Sequence, residues 1–399
     1  MVVALPTVPA LFALGCSIVS PGGRETGPTA QDPTDEAYIW QRAWTDDVRE
    51  GLVAAAPVFD GFRVQAIAWD VGASVPVALV VDLAALADAG HPVVPVARVE
   101  VGAPEGWEHR LADALLDVVT AWRDAGLVVT TVELDHDCPT SQLSTYATRL
   151  QRLRERLPRG LELWNTALPT WLDDRRGLDA VRAASDGTIL QNHGYAGPDR
   201  PLFTGASAVD RTHEWARHRD RPFKVALPAY GARLDGREDM PDAAVVADAY
   251  QKLRARPPAP LEGFVWFRMP TAADRRAWPL RTLQAVIDGE RPTATWQARP
   301  TVPTTQSTTD STIDSTTMDD GVEPRDLIVV NTGDAPGVAP AILEIRGTCS
   351  AADGARGYRA LRRDGIWSLE SSSPPVVGPG EAVPVGWVRC DAPPRLELR

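Results

Sequence analysis

The sequence predicts a (β/α)8 barrel followed by a small all-β, sandwich-like domain. Over residues 38–290, eight strand-like segments alternate with helical or mixed segments. Such a barrel typically has about 250 residues, which is close to the length of that span. A doubly wound open sheet is the alternative, but no Gly-rich phosphate loop follows an early strand. The barrel is therefore the favoured fold class.

Each barrel element is predicted from hydrophobic periodicity and its flanking Gly and Pro residues. The clearest helix covers 107–125, where five apolar residues share one face. The predicted strands are 38–44, 62–69, 93–101, 128–137, 161–168, 187–193, 223–230 and 263–269, with 75–82 as a hairpin extension of the second. The predicted helices are 45–56, 107–125, 140–157, 177–184, 206–219, 242–255 and 272–288.

The N-terminus resembles an export signal. Residues 2–15 are almost entirely apolar and end at Cys16, in the order Ala13-Leu14-Gly15-Cys16. This pattern is typical of a signal peptide with a lipidated cysteine. However, no Lys or Arg precedes the run, and no Leu lies three positions before Cys16. The alternative is a disordered apolar tail. We expect a signal segment over 1–16, a linker over 17–37, and export to the cell envelope as a lipoprotein or as a secreted protein.

A second linker is predicted over residues 291–324. Between Thr301 and Thr317, 11 of 17 residues are Ser or Thr. Such a segment cannot bury enough apolar surface to order itself. Short strands between Gly/Pro turns then predict a β-sandwich-like domain over 325–399. In an oxidising compartment we expect Cys349 and Cys390 to form a disulfide, and the alternative is two buried thiols.

Composition limits the partners. The net charge of −12 argues against nucleic acid, because phosphate binding needs a basic surface. Tryptophan is over-represented, with 13 Trp against 6 Tyr and 7 Phe. Some of these rings are expected in the core, but several fall on or just beyond strands, where a flat ring can stack on a sugar. These include Trp40, Trp44, Trp69, Trp171 and Trp266.

The fourth predicted strand carries three acids on one face. Because strand side chains alternate, Glu133, Asp135 and Asp137 share the side that faces the barrel interior. Like charges and burial should raise at least one pKa, which favours a general acid. One alternative is a salt-bridged column with Arg42 or Arg268 as partner. A second alternative is a metal site with His136 or His193, although the alternation turns His136 outward.

Further polar and aromatic side chains are predicted at the carboxyl ends of the other strands, where barrel enzymes keep their active sites. We expect them to bind substrate. They are Trp40, Gln41, Arg42, Trp69, Asn165, Trp171, Gln191, His193, Tyr230, Trp266 and Arg268.

The acidic strand resembles the chitinase-like glycoside hydrolases of family 18. That family carries Asp-x-Asp-x-Glu, then an aromatic residue and Pro; this chain carries Glu133-x-Asp135-x-Asp137, then Cys138 and Pro139. Segments 225–231 and 263–266 resemble its seventh and eighth strands. More closely, residues 38–290 resemble the bacterial domain-of-unknown-function family 3142. The matching segments are 38–44, the acidic strand, 166–171 and 227–231.

The resemblance to family 18 implies a mechanism. Asp137 would protonate the leaving glycosidic oxygen, Asp135 would orient a 2-acetamido group, and Tyr230 would contact the acetamido oxygen. Two features depart from that family. Asp137 is one methylene shorter than Glu, and the Tyr-Asp pair of the sixth strand is replaced by Gln191-Asn192-His193. A two-carboxylate mechanism that pairs Asp137 with Glu133 or Asp135 therefore remains open.

We therefore expect an exported, glycoside hydrolase-like barrel that acts on a polysaccharide or oligosaccharide. The alternative is a carbohydrate-binding or cell-envelope scaffold protein whose hydrolase site is degenerate. We expect no metal or other cofactor, no nucleic-acid partner, membrane contact only through a lipid anchor, and a monomer.

Overall fold

The structure is a computed structural model that describes residues 32–194, 201–218, 221–234, 237–301 and 324–399. The predicted signal segment, Cys16 included, lies outside these residues. So do positions 17–31 of the first predicted linker and positions 302–323 of the second.

Eight parallel strands of the described residues form a closed barrel. They are β1 (Thr34–Ile39), β2 (Gly61–Trp69), β4 (Val93–Val99), β5 (Thr131–Asp135), β6 (Glu162–Ala167), β7 (Gly187–Gln191), β8 (Phe223–Pro228) and β11 (Leu261–Phe267). The sheet closes because β1 pairs in parallel with both β2 and β11. This closure confirms the predicted barrel and excludes the open doubly wound sheet.

Helices follow the strands, and short antiparallel strands decorate the barrel. The helices are α1 (Asp46–Ala55), α2 (Leu83–Ala89), α3 (Trp107–Asp124), α4 (Leu143–Arg156), α5 (Arg175–Ala183), α6 (Gly205–Trp215), α7 (Ala243–Ala255) and α8 (Leu280–Ile287). The short strands are β3 (Val77–Ala78), which pairs with β2, and the hairpin β9 (Ala232–Leu234) and β10 (Arg237–Asp239). Among the described helices, none is long and apolar enough to cross a membrane.

Two predicted elements differ clearly from the structure. The first strand was predicted at 38–44 but lies at Thr34–Ile39, because its inward positions carry polar Thr34 and Glu36 and hide the strand pattern. The last helix was predicted from 272 but begins at Leu280, directly after Pro279. Proline has no N–H to donate and suits a helix start.

The barrel interior alternates large and small side chains. Tyr38, Val96 and Trp164 fill its middle together with Ile189, Ala226 and Val265. The outward positions of the same strands pack against the helices in the main core. Gly187 lies opposite Trp164 on the neighbouring strand, where a side chain would collide with the indole ring. The missing side chain at Gly187 therefore makes room for Trp164.

The C-terminal residues form two antiparallel sheets with one shared core. One sheet has the order β12 (Trp296–Thr301), β13 (Arg325–Asn331), β20 (Ala382–Cys390) and β16 (Cys349–Gly354). The other has the order β17 (Arg359–Arg363), β18 (Ile366–Glu370), β15 (Ile342–Arg346) and β21 (Arg395–Leu398). Two short strands, β14 (Gly337–Val338) and β19 (Val376–Val377), pair separately. Residues 296–301, placed in the second predicted linker, thus form the edge strand β12.

The two cysteines of this region are directly opposite on adjacent strands. Cys349 on β16 pairs with Cys390 on β20, and their Sγ atoms are bonded at 2.11 Å. The disulfide links β16 to β20 within the first sheet and lies beside the apolar core residues Leu327 and Val388.

We expect Gly187→Ala to lower the free energy of unfolding by about 1–3 kcal/mol, because an extra methyl group overpacks the barrel against Trp164. Urea denaturation of the purified protein measures this. Thr120→Ala, at an exposed position of α3, is the control and should leave stability unchanged. A Gly187→Ala protein as stable as the wild type would contradict the packing described.

Candidate functional site

A buried chain of charges runs through the barrel interior. Arg63 on β2 donates from Nε to Glu36 Oε2 and from Nη1 to Glu133 Oε2, both at 2.6 Å. Arg63 is 2% exposed and Glu133 is fully buried. Lys224 forms a second ion pair with Glu36. Burial alone would raise the pKa of Glu36, but Arg63 and Lys224 outweigh it and lower that pKa to about 2. The chain thus matches each buried carboxylate with a cation.

Glu133 is saturated by its neighbours. Besides Arg63, the Tyr38 hydroxyl donates to Glu133 Oε1 at 2.6 Å and the Thr166 hydroxyl donates to the same oxygen at 3.2 Å. A carboxylate that is held by three donors and sealed from solvent cannot meet a substrate. Of the three predicted acids, Glu133 is therefore a structural member of the barrel interior.

The other two acids share one cation at the barrel mouth. Arg98, at the end of β4, donates from Nη1 to Asp135 Oδ2 at 2.9 Å and from Nη2 to Asp137 Oδ2 at 2.8 Å. It also pairs with Glu100 at 3.1 Å. The salt-bridged column considered from the sequence is thus present, but its cations are Arg63 and Arg98. The predicted partners are engaged elsewhere, since Arg42 pairs with Asp70 and Arg268 with Asp274.

Asp135 is the acid with an unsatisfied oxygen. It is 6% exposed, and its Oδ1 is buried without a hydrogen-bond partner among the described residues. Burial raises the pKa of Asp135 to about 6, and the charges of Asp137 and Glu133 act in the same direction while Arg98 opposes them. Asp137 is more open, with 36% of its side chain exposed.

A cavity of about 470 Å³ opens at the carboxyl end of the strands. Aromatic rings, polar groups and the buried Asp135 form its wall, and Phe267 contacts Trp40, His193 and Tyr230 edge-on or tilted at 5.5–5.8 Å between ring centroids. The lining residues are Tyr38, Trp40, Arg42, Gln65, Arg98, Glu100, Asp135, Thr166, Gln191, His193, Gly194, Leu202, Ala226, Tyr230 and Phe267.

The structure brings six of the predicted site residues to this cavity: Trp40, Arg42, Asp135, Gln191, His193 and Tyr230. Burial lowers the pKa of His193 to about 4, so its ring is neutral at physiological pH. Asp137 lies beside the cavity, joined to its wall through Arg98.

Three predicted tryptophans lie in the core instead. Trp69, Trp171 and Trp266 are fully buried. Their indole N–H groups donate to Ala73 O, Cys138 O and Asp35 Oδ1. For Trp266 the reason is strand alternation, because Trp266 faces the helices while the next residue, Phe267, faces the cavity.

Three predicted polar residues also serve the fold. Gln41 donates from Nε2 to Met269 O at 3.2 Å, and Asn165 is fully buried and donates to Thr166 O at 3.1 Å. Arg268 pairs with Asp274 and lies over the Tyr230 ring at 5.0 Å. Arg268 thus packs on the ring of Tyr230, which lines the cavity.

His136 turns outward, as the alternation predicts. Its Nδ1 lies 2.8 Å from Val99 O, and its ring packs between Trp107 and Tyr146 under the helices. In the described part of the chain, no three His, Cys, Asp or Glu side chains are arranged to hold a metal ion.

Several cavity residues were not singled out from the sequence. Strand alternation could have identified them. Arg98 and Glu100 lie two and four positions after inward-facing Val96, and Tyr38 lies two positions after Glu36, so alternation turns all three side chains inward. The residues in question are Tyr38, Gln65, Arg98, Glu100, Thr166 and Phe267.

Two family models match parts of the chain. Residues 89–272 match the model of a domain of unknown function, DUF3142. Residues 315–391 match a second domain of unknown function, DUF8456. No curated protein matches the sequence.

Solved structures align with part of the chain at low identity. A chitinase from Chromobacterium violaceum shares 13% identity with a TM-score of 0.48, covering 64% of this chain and 98% of that chain. The spore cortex-lytic enzyme SleL of Bacillus megaterium shares 10% identity with a TM-score of 0.48, covering 66% and 75%. A chitinase from Rhizomucor miehei shares 14% identity with a TM-score of 0.42, covering 63% and 99%. The closed barrel is established by the strand pairing of this chain itself.

We expect Arg63→Met to lower the free energy of unfolding by about 3–5 kcal/mol, because it leaves buried carboxylates without their cation. The double variant Arg63→Met, Glu133→Gln should recover part of that loss, since one uncompensated charge is gone. Urea denaturation of both variants tests this. A double variant no more stable than Arg63→Met would contradict the pairing.

We expect Asp135 to make the barrel less stable as the pH rises. The folded-state pKa of about 6 lies above the ordinary value of 3.8, so the folded state binds more protons between these values. The stabilisation that comes from protonated Asp135 is fully present below about pH 4 and is lost as the pH rises through about 6. Over this range the free energy of unfolding should fall by about 3 kcal/mol relative to that of Asp135→Asn.

Urea denaturation across this pH range compares the wild type with Asp135→Asn. Asp117→Asn, at an exposed position of α3, is the control and should follow the wild type. Parallel profiles for the wild type and Asp135→Asn would show that the pKa of Asp135 is not raised on folding.

Proposed function

We propose that the barrel binds a carbohydrate chain in the cavity at its mouth and hydrolyses a glycosidic bond there. The observation that carries the proposal is Asp135, a buried carboxyl with a raised pKa and an unpartnered oxygen in the wall of an open cavity. Perturbed carboxyl groups in a cleft are characteristic of acid–base catalysts.

The cavity has the size and wall of a small-ligand site. Its volume of about 470 Å³ falls in the range of common ligand pockets, which combine apolar and aromatic walls with a few placed polar groups. Trp40, Tyr230 and Phe267 are partly exposed rings that can pack on the apolar face of a sugar. Gln65, Thr166 and Gln191 supply amide and hydroxyl groups for sugar hydroxyls.

Asp135 and Asp137 are the proposed acid and base. Asp135, protonated near its pKa of about 6, gives its proton to the glycosidic oxygen as the bond from that oxygen to the anomeric carbon breaks. A water oxygen bonds to the same carbon and loses a proton to Asp137, which is partly exposed and pairs with Arg98. Exchange with solvent then restores both groups. Glu133 takes no part, because three donors saturate it.

A second candidate is a carbohydrate-binding barrel without hydrolysis. Arg98 favours it, since one guanidinium holds both Asp135 and Asp137 and its charge opposes the rise in the pKa of Asp135. In that case the aromatic wall and the polar groups would bind the sugar, and the two carboxylates would orient it.

Hydrolysis is tested by release of reducing ends from a panel of bacterial and fungal polysaccharides. On a cleaved polymer, we expect Asp135→Asn to lower the rate by about 100-fold or more, because a neutral amide cannot donate the proton. Asp137→Asn should also slow the reaction. Asp117→Asn is the matched control for the loss of one carboxylate far from the cavity.

Full activity of Asp135→Asn would overturn the catalytic role. If no polymer is cleaved but oligosaccharides bind, the second candidate holds.

A further inference from the structure

We propose that the cavity selects a sugar that carries a free, protonated amino group, such as a glucosamine unit, over its neutral or N-acetylated counterpart. This inference rests on the proposed function and adds the charge class of the ligand. It depends on the balance of charges at the mouth and on one unsatisfied carboxylate oxygen.

Carboxylates outnumber cations at the mouth of the cavity. Arg98 alone pairs with Glu100, Asp135 and Asp137. Arg42, the other cation among the described lining residues, is committed to Asp70 through both Nη atoms, at 3.1 and 2.6 Å. His193 is neutral because burial lowers its pKa to about 4. The mouth therefore carries an excess of negative charge that the described residues do not balance.

The cations below the cavity do not correct this excess. Arg63 is held between Glu36 and Glu133, and Lys224 is held by Glu36. The interior chain is balanced within itself, so the charge excess belongs to the mouth alone.

Asp135 has one oxygen that lacks a donor. Asp135 is 6% exposed, lines the cavity, and has its Oδ1 buried without a partner among the described residues. A buried, unpaired carboxylate oxygen is costly to maintain and is satisfied best by a charged donor. An ammonium group supplies up to three donors and the missing positive charge in one contact.

An organic ammonium fits the site better than a metal ion. In the described residues, no three potential ligands converge on one point. The aromatic wall of Trp40, Tyr230 and Phe267 suits a ring that carries the amine, and ring faces also attract cations. An acetamido group would offer a single neutral N–H to Asp135 and a bulkier substituent. Asn192, a further amide at this end of the barrel, is turned away and bonds Thr212 and Ala208 O.

The test compares three β-1,4-linked oligosaccharides of equal length that differ mainly at carbon 2. They are a glucosamine oligomer, its N-acetylated form and a cello-oligosaccharide. Isothermal titration above about pH 6, where Asp135 is ionised and can pair with the ammonium group, measures their affinities for the full chain. We expect the glucosamine oligomer to bind about tenfold or more tighter than the other two, as for one charged hydrogen bond. The difference should shrink with added salt.

Variants locate the preference. Asp135→Asn should reduce the affinity for the glucosamine oligomer to that of the cello-oligosaccharide, while Asp117→Asn should leave all three affinities unchanged. Thermal unfolding checks that each variant is folded. If Asp135→Asn does not fold, the salt dependence of the wild type still decides, since a preference that salt does not weaken would not be electrostatic.

The outcomes separate the two proposals. Equal or tighter binding of the neutral or acetylated oligomer would overturn the charge selectivity and leave a carbohydrate site intact. A preference that survives Asp135→Asn would overturn the role of its carboxylate. If none of the three binds and no polymer is cleaved, both proposals fall.

Discussion

The buried position of Arg63 inside the barrel determines which acids are paired beneath the cavity. A guanidinium at 2% exposure must be matched by carboxylates. Glu36 supplies one from the neighbouring strand β1, and Glu133 supplies the other from β5, two strands away. The interior of a (β/α)8 barrel is usually filled by layers of branched apolar side chains. Here an ion chain replaces part of that filling. Removing either partner would leave a buried charge unpaired, so Glu36 and Glu133 are structural residues of this ion-pair chain.

Depth along one strand divides three similar acids into three environments. Glu133 lies deepest and is saturated by Arg63, Tyr38 and Thr166. Asp135, two residues further, reaches the cavity with one oxygen paired and the other buried alone. Asp137 lies past the strand end and is partly solvated. The step of two residues from Glu133 to Asp135 is about 7 Å along the strand, which is enough to change the desolvation and the partners of the carboxylate.

Arg98 is the group on which the chemistry of the mouth depends. Its charge lowers the cost of holding Asp135 and Asp137 close together, yet one cation cannot neutralise these two and Glu100. That imbalance supports the proposed preference for an ammonium group, which needs the ionised form of Asp135, whereas the acid role needs its protonated form. Burial favours the protonated form of Asp135 and Arg98 opposes it, so the balance between the two decides between catalysis and binding alone.

The sequence by itself determined the features that follow from local periodicity. The alternation of strands and helices predicted the barrel, and the period of two in the fourth strand placed Glu133, Asp135 and Asp137 on its inner face and His136 on its outer face. Tertiary structure decided the rest, because it depends on contacts between strands far apart in the chain. The partners of the acids are Arg63 and Arg98 rather than Arg42 and Arg268. The core contains Trp69, Trp171 and Trp266, whereas Phe267 lines the cavity. Polar Thr34 and Glu36 hid the first strand, since only the closed barrel supplies Lys224 and Arg63 to pair with Glu36. Periodicity determines which face a side chain takes, whereas partners and exposure depend on the strand that closes beside it.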